Sequence, residues 1–132
     1  MKNTARVGTV GEERFVVSEQ HSIDFAHDGM PQILSTPWLV WFLEHAARKA
    51  VLPLLEPNES TVGVLVQVEH TAATPLGGDV LCRARIIYVD GPLISFQIEA
   101  HDAHEQIARG THKLQIIDVA RLAKKVASKR GS

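Results

Sequence analysis

The chain has 132 residues, 45% of them hydrophobic and 22% charged, with a formal net charge of −1. That length suits one domain with a real core, and the composition is that of an ordinary globular protein rather than a disordered or fibrous one. With 14 basic against 15 acidic residues, no global field advertises nucleic acid or an anionic membrane as a partner.

Taken in chain order, residues 1–13 are polar and read as loose, and residues 14–18 (RFVVS) read as a short strand. Residues 23–35 hold Asp28-Gly29 and Pro31 and read as a loop. A helix is then predicted over 37–52. Thr36 offers a hydroxyl cap, Pro37 fits the first turn, and Pro53 stops the helix. Trp38, Leu39, Val40, Trp41, Phe42 and Leu43 cover every direction around its axis, which calls for a helix wrapped by other elements.

Four strand-like runs follow, over 61–71, 79–90, 93–101 and 107–117. The first alternates cleanly, so Val62, Val64, Val66, Val68 and His70 share one face and Gly63 falls on the other. Asp90-Gly91-Pro92 is a turn between the second and third runs. One long apolar helix followed by an antiparallel meander predicts an α+β chain of hotdog architecture, a sheet wrapping a helix. A single domain over 1–132 is expected, with a core over 13–118 and a basic helix or tail over 119–132. Sheet edges and leftover apolar surface in so small a unit predict a homodimer, with a tetramer of two dimers left open.

Cys82 is the single cysteine, so no internal disulfide framework is available. It alternates with Val80 and Ala84 and reads as a small core residue. No secretory pattern opens the chain and no apolar run reaches transmembrane length, so the protein is expected in the cytoplasm without a membrane partner.

The chemistry candidates are few. Glu44 stands at the margin of the buried helical stripe. Its plain structural account is an i,i+4 ion pair with Arg48. Its functional account is a semi-buried carboxylate retained for reactivity. His70 ends the valine face of its strand, either as a satisfied core histidine or as a site residue. Thr36 has a full explanation as a cap. Thr36 and Glu44 lie about 12 Å apart along the helix, so a substrate or another strand must join them. His101, His104 and His112 lack the ligand set that zinc requires, and no metal or cofactor is expected.

Ser35-Thr36-Pro37 opening a helix that bears Glu44, then GVLVQVEHTAATPLGG, then IARGTHKLQII, resembles the fluoroacetyl-CoA thioesterase-like family of hotdog proteins. The resemblance covers about residues 33–118. It implies a hotdog homodimer that hydrolyses a short acyl-CoA thioester. It further implies that Thr36, Glu44 and His70 match the family's catalytic threonine, glutamate and histidine, and that Gly63 matches a glycine whose N–H polarises the substrate carbonyl. Glu44 would be nucleophile or general base. The segment HSIDFAHDGMPQIL, with Phe25 its single aromatic, departs from the family's aromatic-rich lid, so fluoroacetyl selection is not expected. Two rivals remain at this level: a hydratase-type hotdog enzyme, and a non-catalytic acyl-CoA binding or sensor domain.

Overall fold

A computed structural model describes residues 1–25 and 28–131; Ala26 and His27, inside the loop expected over 23–35, and Ser132 lie outside the described residues. The elements are β1 (Val10–Val16), α1 (Thr36–Val51), β2 (Glu59–His70), β3 (Asp79–Asp90), β4 (Leu93–His101), β5 (Gln106–Asp118) and α2 (Val119–Arg130), with short 3-10 turns at Glu19–His21 and Leu52–Leu54. The strands form one antiparallel sheet in the order β1-β3-β4-β5-β2. It curls around α1 as a hotdog fold. No helix among the described residues is long and apolar enough to cross a membrane.

Period-2 alternation sets the core. Val80, Cys82, Ala84 and Ile86 of β3, then Ile94, Phe96, Ile98 and Ala100 of β4, point inward and are buried. They meet Leu39, Leu43, Ala46, Ala47 and Val51 of α1, each 0% exposed. Burial pushes the Cys82 thiol up to about 12, with the nearby Glu13 charge adding to it, so this sulfur is an inert core atom.

The N-terminal segment is not loose. β1 begins at Val10 rather than at residue 14, Ala5 is buried, and Gly11 lies flat against the helix backbone. A Cβ at Gly11 would stand 2.0 Å from the Ala46 carbonyl oxygen. Only a residue without a side chain lets strand and helix approach this closely. Glu13 then pairs with Lys49 at 2.6 Å, tying β1 to the polar edge of α1.

The alternation expected of β2 is broken by a bulge. Gly63 pairs with Leu114 and Leu65 with Lys113, which leaves Val64 as the extra residue. The inserted residue shifts the phase by one. Gly63 faces inward with Leu114, and so do Val66, opposite His112, and His70, opposite Ala108. The expectation that Gly63 and His70 face opposite ways is therefore corrected.

Candidate active site

Thr36 stands in the first turn of α1 but is not its cap. Ser35 occupies the N-cap position with extended backbone, and no side chain caps the turn. The Thr36 hydroxyl turns instead to β2, with Oγ1 2.9 Å from Nδ1 of His70. The other ring nitrogen of His70, Nε2, is buried and has no hydrogen-bond partner among the described residues. Burial pushes the His70 imidazole below its ordinary value of 6.5, and the Ala72 backbone works the other way.

A cavity of about 300 Å³ opens beside this pair. Ile23, Phe25, Met30, Ile33 and Leu34 line it together with Thr36, His70 and residues 71–73. A hollow of about 740 Å³ lies elsewhere, on the outer sheet face between Gln67, Glu69, Arg109 and Thr111. Its carboxylate and guanidinium face each other at 3.5 Å across solvent, a surface pair of small energetic consequence.

Glu44 is half-buried, two turns along α1. The expected partnership with Arg48 is not made. Arg48 donates to Thr61 Oγ1 at 3.2 Å and to Ser60 Oγ at 3.4 Å. The Glu44 carboxylate instead faces Gly63, with Oε1 3.4 Å from where a Gly63 Cβ would stand. His112 closes the same spot with Cε1 at 3.7 Å. His112, weighed in the sequence only as a metal ligand, is 2% exposed and belongs to this wall of the cleft. Alternation with Leu114 and Ile116 in the 107–117 run carried the signal that places it inward.

The four sequence candidates thus fall into two groups within one chain. Thr36 and His70 meet at the start of α1, while Glu44 and Gly63 meet further along. Gly63 and His70 are seven residues apart on β2, which is roughly 20 Å along the strand.

The neighbouring loop is structural. Thr74, 1% exposed, donates to Asp102 Oδ2 at 3.0 Å, and its carbonyl accepts from the Leu34 amide at 2.9 Å. Asp102 Oδ1 accepts from the amides of His104 and Glu105. The HDAH stretch is therefore a carboxylate-organised turn, and its Asp102 carboxyl is held below the usual range by those hydrogen bonds against an opposing burial effect. This turn anchors the segment that enters α1.

Comparisons with known proteins identify the family and the fold. Residues 17–120 match the family model described as fluoroacetyl-CoA-specific thioesterase. A fluoroacetyl-CoA thioesterase from Streptantibioticus cattleyicolor is 34% identical over 137 aligned positions, covering 98% of this chain and 97% of that protein. A crystal structure of a fluoroacetyl-CoA-specific thioesterase variant superposes with a TM-score of 0.88 at 32% identity, over 97% of this chain and 99% of that one. A Thermus thermophilus thioesterase superfamily member reaches a TM-score of 0.90 at 25% identity, over 99% and 96% of the two chains. The chain accordingly belongs to the fluoroacetyl-CoA-specific thioesterase family and is a thioester hydrolase of hotdog fold.

Proposed function

We propose that the chain hydrolyses a small acyl-CoA thioester to the free acid and coenzyme A, using Thr36, His70, Glu44 and Gly63. The observation that carries this reading is the Thr36–His70 hydrogen bond, which leaves Nε2 buried without a partner. A buried polar atom without a partner costs free energy, and a substrate group arriving there removes that cost. With the Thr36 hydroxyl donating to Nδ1, Nε2 carries the hydrogen. It is then a donor for the thioester carbonyl or for the departing sulfur.

The uncapped first turn of α1 adds amide donors and the positive end of the helix dipole beside it. The Gly63 amide would serve the same developing oxyanion. Glu44 acts either as general base on water or as nucleophile through a mixed anhydride. In the general-base route water supplies the oxygen of the acid. In the covalent route Glu44 gives the acid one of its oxygens and water replaces it on Glu44. In both the C–S bond breaks and the thiolate leaves with a proton.

The two groups of residues must reach one carbonyl, and a homodimer lets them do so. β2 is an edge strand, with Val64 52%, Leu65 39% and Val66 38% exposed, and Trp41 of α1 is 45% exposed. Such an edge is a template for a second copy. An antiparallel β2–β2 pairing about a two-fold axis near Val66 and Gln67 sets Gly63 and Glu44 of one protomer against the Thr36–His70 pair of its partner.

The apolar lining by Ile23, Met30 and Ile33 suits a short aliphatic acyl group. The test is thiol release from a panel of acyl-CoAs running from acetyl through branched, aromatic and halogenated members, with wild type beside Glu44→Gln. Glu44-dependent release on some member supports the reading. Coenzyme A binding with no release on any member refutes it and leaves a binding domain. Oxygen-18 from water found in Glu44 after a single turnover selects the covalent route.

A further inference from the structure

His112 takes no part in the function proposed above, yet it is built into the same cleft. Its side chain lies on the core face of β5, between Phe96 of β4 and Val66 of β2. The ring stacks on Phe96 at a centroid distance of 6.0 Å, and Nδ1 is 2.9 Å from the Leu65 carbonyl oxygen. A carbonyl only accepts, so Nδ1 carries the hydrogen and Nε2 of the neutral ring is left as an acceptor. The tether holds the ring to β2 just after the bulge, where Val66 lies opposite His112.

The ring edge then meets the cleft. His112 Cε1 and Glu44 Oε1 stand 3.7 and 3.4 Å from one point over Gly63. We infer that His112 is a positioning residue for the hydrolysis, acting through Glu44 across the floor of the cleft at Gly63, its ring supporting the carboxylate that draws a proton from the attacking water. This rests on the hydrolase reading. In the general-base route, water loses a proton to the Glu44 carboxylate as its oxygen joins the acyl carbon. Glu44 then holds that proton beside the His112 ring. The proton leaves to the thiolate or to solvent once the C–S bond has broken, which restores the carboxylate.

The surroundings fit this role. Glu44 from α1, Val66 and Leu65 from β2 and Phe96 from β4 face the ring, and Glu44 is the titratable one among them. Burial pushes the His112 imidazole down, while the Leu65 carbonyl and the Glu44 charge oppose it.

The experiment compares wild type, Glu44→Gln, His112→Asn and His112→Gln for thiol release, with a pH profile and thermal melting for each. His112→Asn keeps a donor for Leu65 but cannot take a proton. The expected result is a fall in kcat of roughly 10- to 100-fold with little change in KM or melting temperature, and a shift in the acidic limb of the profile. NMR titration of the His112 ring supplies a readout independent of turnover. Its pKa should fall in Glu44→Gln, because the opposing charge is gone.

Wild-type kcat and pH profile in His112→Asn, with Glu44→Gln inactive, overturn the inference alone. A His112 titration unchanged by Glu44→Gln also overturns it, and decides the matter if His112→Asn fails to fold. Absence of thiol release by wild type on every substrate overturns the hydrolase reading and the role in turnover together.

Discussion

Gly11→Ala tests the packing of β1 on the helix directly. The added methyl would fall 2.0 Å from the Ala46 carbonyl oxygen and 2.7 Å from the Ala50 amide nitrogen. Those two groups are the i and i+4 partners of a helical hydrogen bond, so the methyl lands on the bond itself. Its other neighbour, the Ala50 methyl, is 3.1 Å away. None of these is the end of a flexible side chain. Strand and helix must separate by about 1 Å to restore contact distance, and the loss spreads to the stacked Phe15 and Phe42. Overpacking of this kind costs about 3 kcal/mol, the upper part of the usual range. For a chain of this size that lowers the melting temperature by roughly 10 °C. Urea unfolding followed by Trp38 and Trp41 fluorescence reads the loss. The sign is as informative as the size. In an open strand the same change would stabilise by about 0.5 kcal/mol through the unfolded chain, so a neutral or stabilised variant would refute the close β1–α1 contact.

Three further outcomes follow from the site. Gly63→Ala puts a methyl in ordinary contact with Glu44 and His112, at 3.4 and 3.7 Å; folding should be retained within about 1 kcal/mol while kcat/KM drops at least tenfold, read by urea midpoint and thiol release together. Mixing inactive Glu44→Gln with inactive His70→Asn should regain about a quarter of wild-type activity, because half the dimers are mixed and each holds one intact site; no recovery after demonstrated subunit exchange would place each site within one protomer. Stability should also depend on pH through His70 and His112, whose folded values both lie below the ordinary 6.5. The unfolded chain binds the proton more readily, so this contribution is complete above pH 6.5 and is lost as the pH falls through 6.5 toward the folded values. Urea midpoints between about pH 7.5 and 5.5 should decline and should decline less in His112→Asn; a flat wild-type profile would contradict the burial of both rings.

Much of the fold was legible in the chain because its strong elements obey local rules. The helix expected over 37–52 is found at Thr36–Val51, and strands expected over 79–90 and 93–101 are β3 and β4. The exceptions have specific causes. β1 was read as starting at residue 14 because its earlier residues are Gly11, Glu12 and Glu13. Of the two inward ones Gly11 has no side chain and Glu13 is charged, and the outward Glu12 is charged as well, so no apolar alternation marks the strand. Thr36 read as a cap because its local sequence supports a cap, whereas its hydroxyl is claimed by His70, 34 residues away. Glu44 and Arg48 have ideal spacing for a pair, yet Arg48 finds hydroxyls on β2. In both cases a tertiary partner outcompetes a local one. The bulge is a different matter. Val62, Val64, Val66 and Val68 alternate without a break in the chain, and only pairing with β5 shows that one of them is extra.

That extra residue makes β2 two short strands in series, each with its own phase. Everything before Val64 is keyed to Leu114 and Ile116, and everything after it to His112 and Ala108. Removing Val64 would leave both phases in place, because Gly63 would still pair with Leu114 and Leu65 with Lys113, now as an unbroken ladder. Keeping Val64 but pairing it regularly with Leu114 is what would turn the inside-outside assignment of residues 59–63 over, sending Gly63 to solvent while His70 kept its place. A single-residue gap at this point between two homologous chains therefore removes the bulge and leaves the active-site wall as it is.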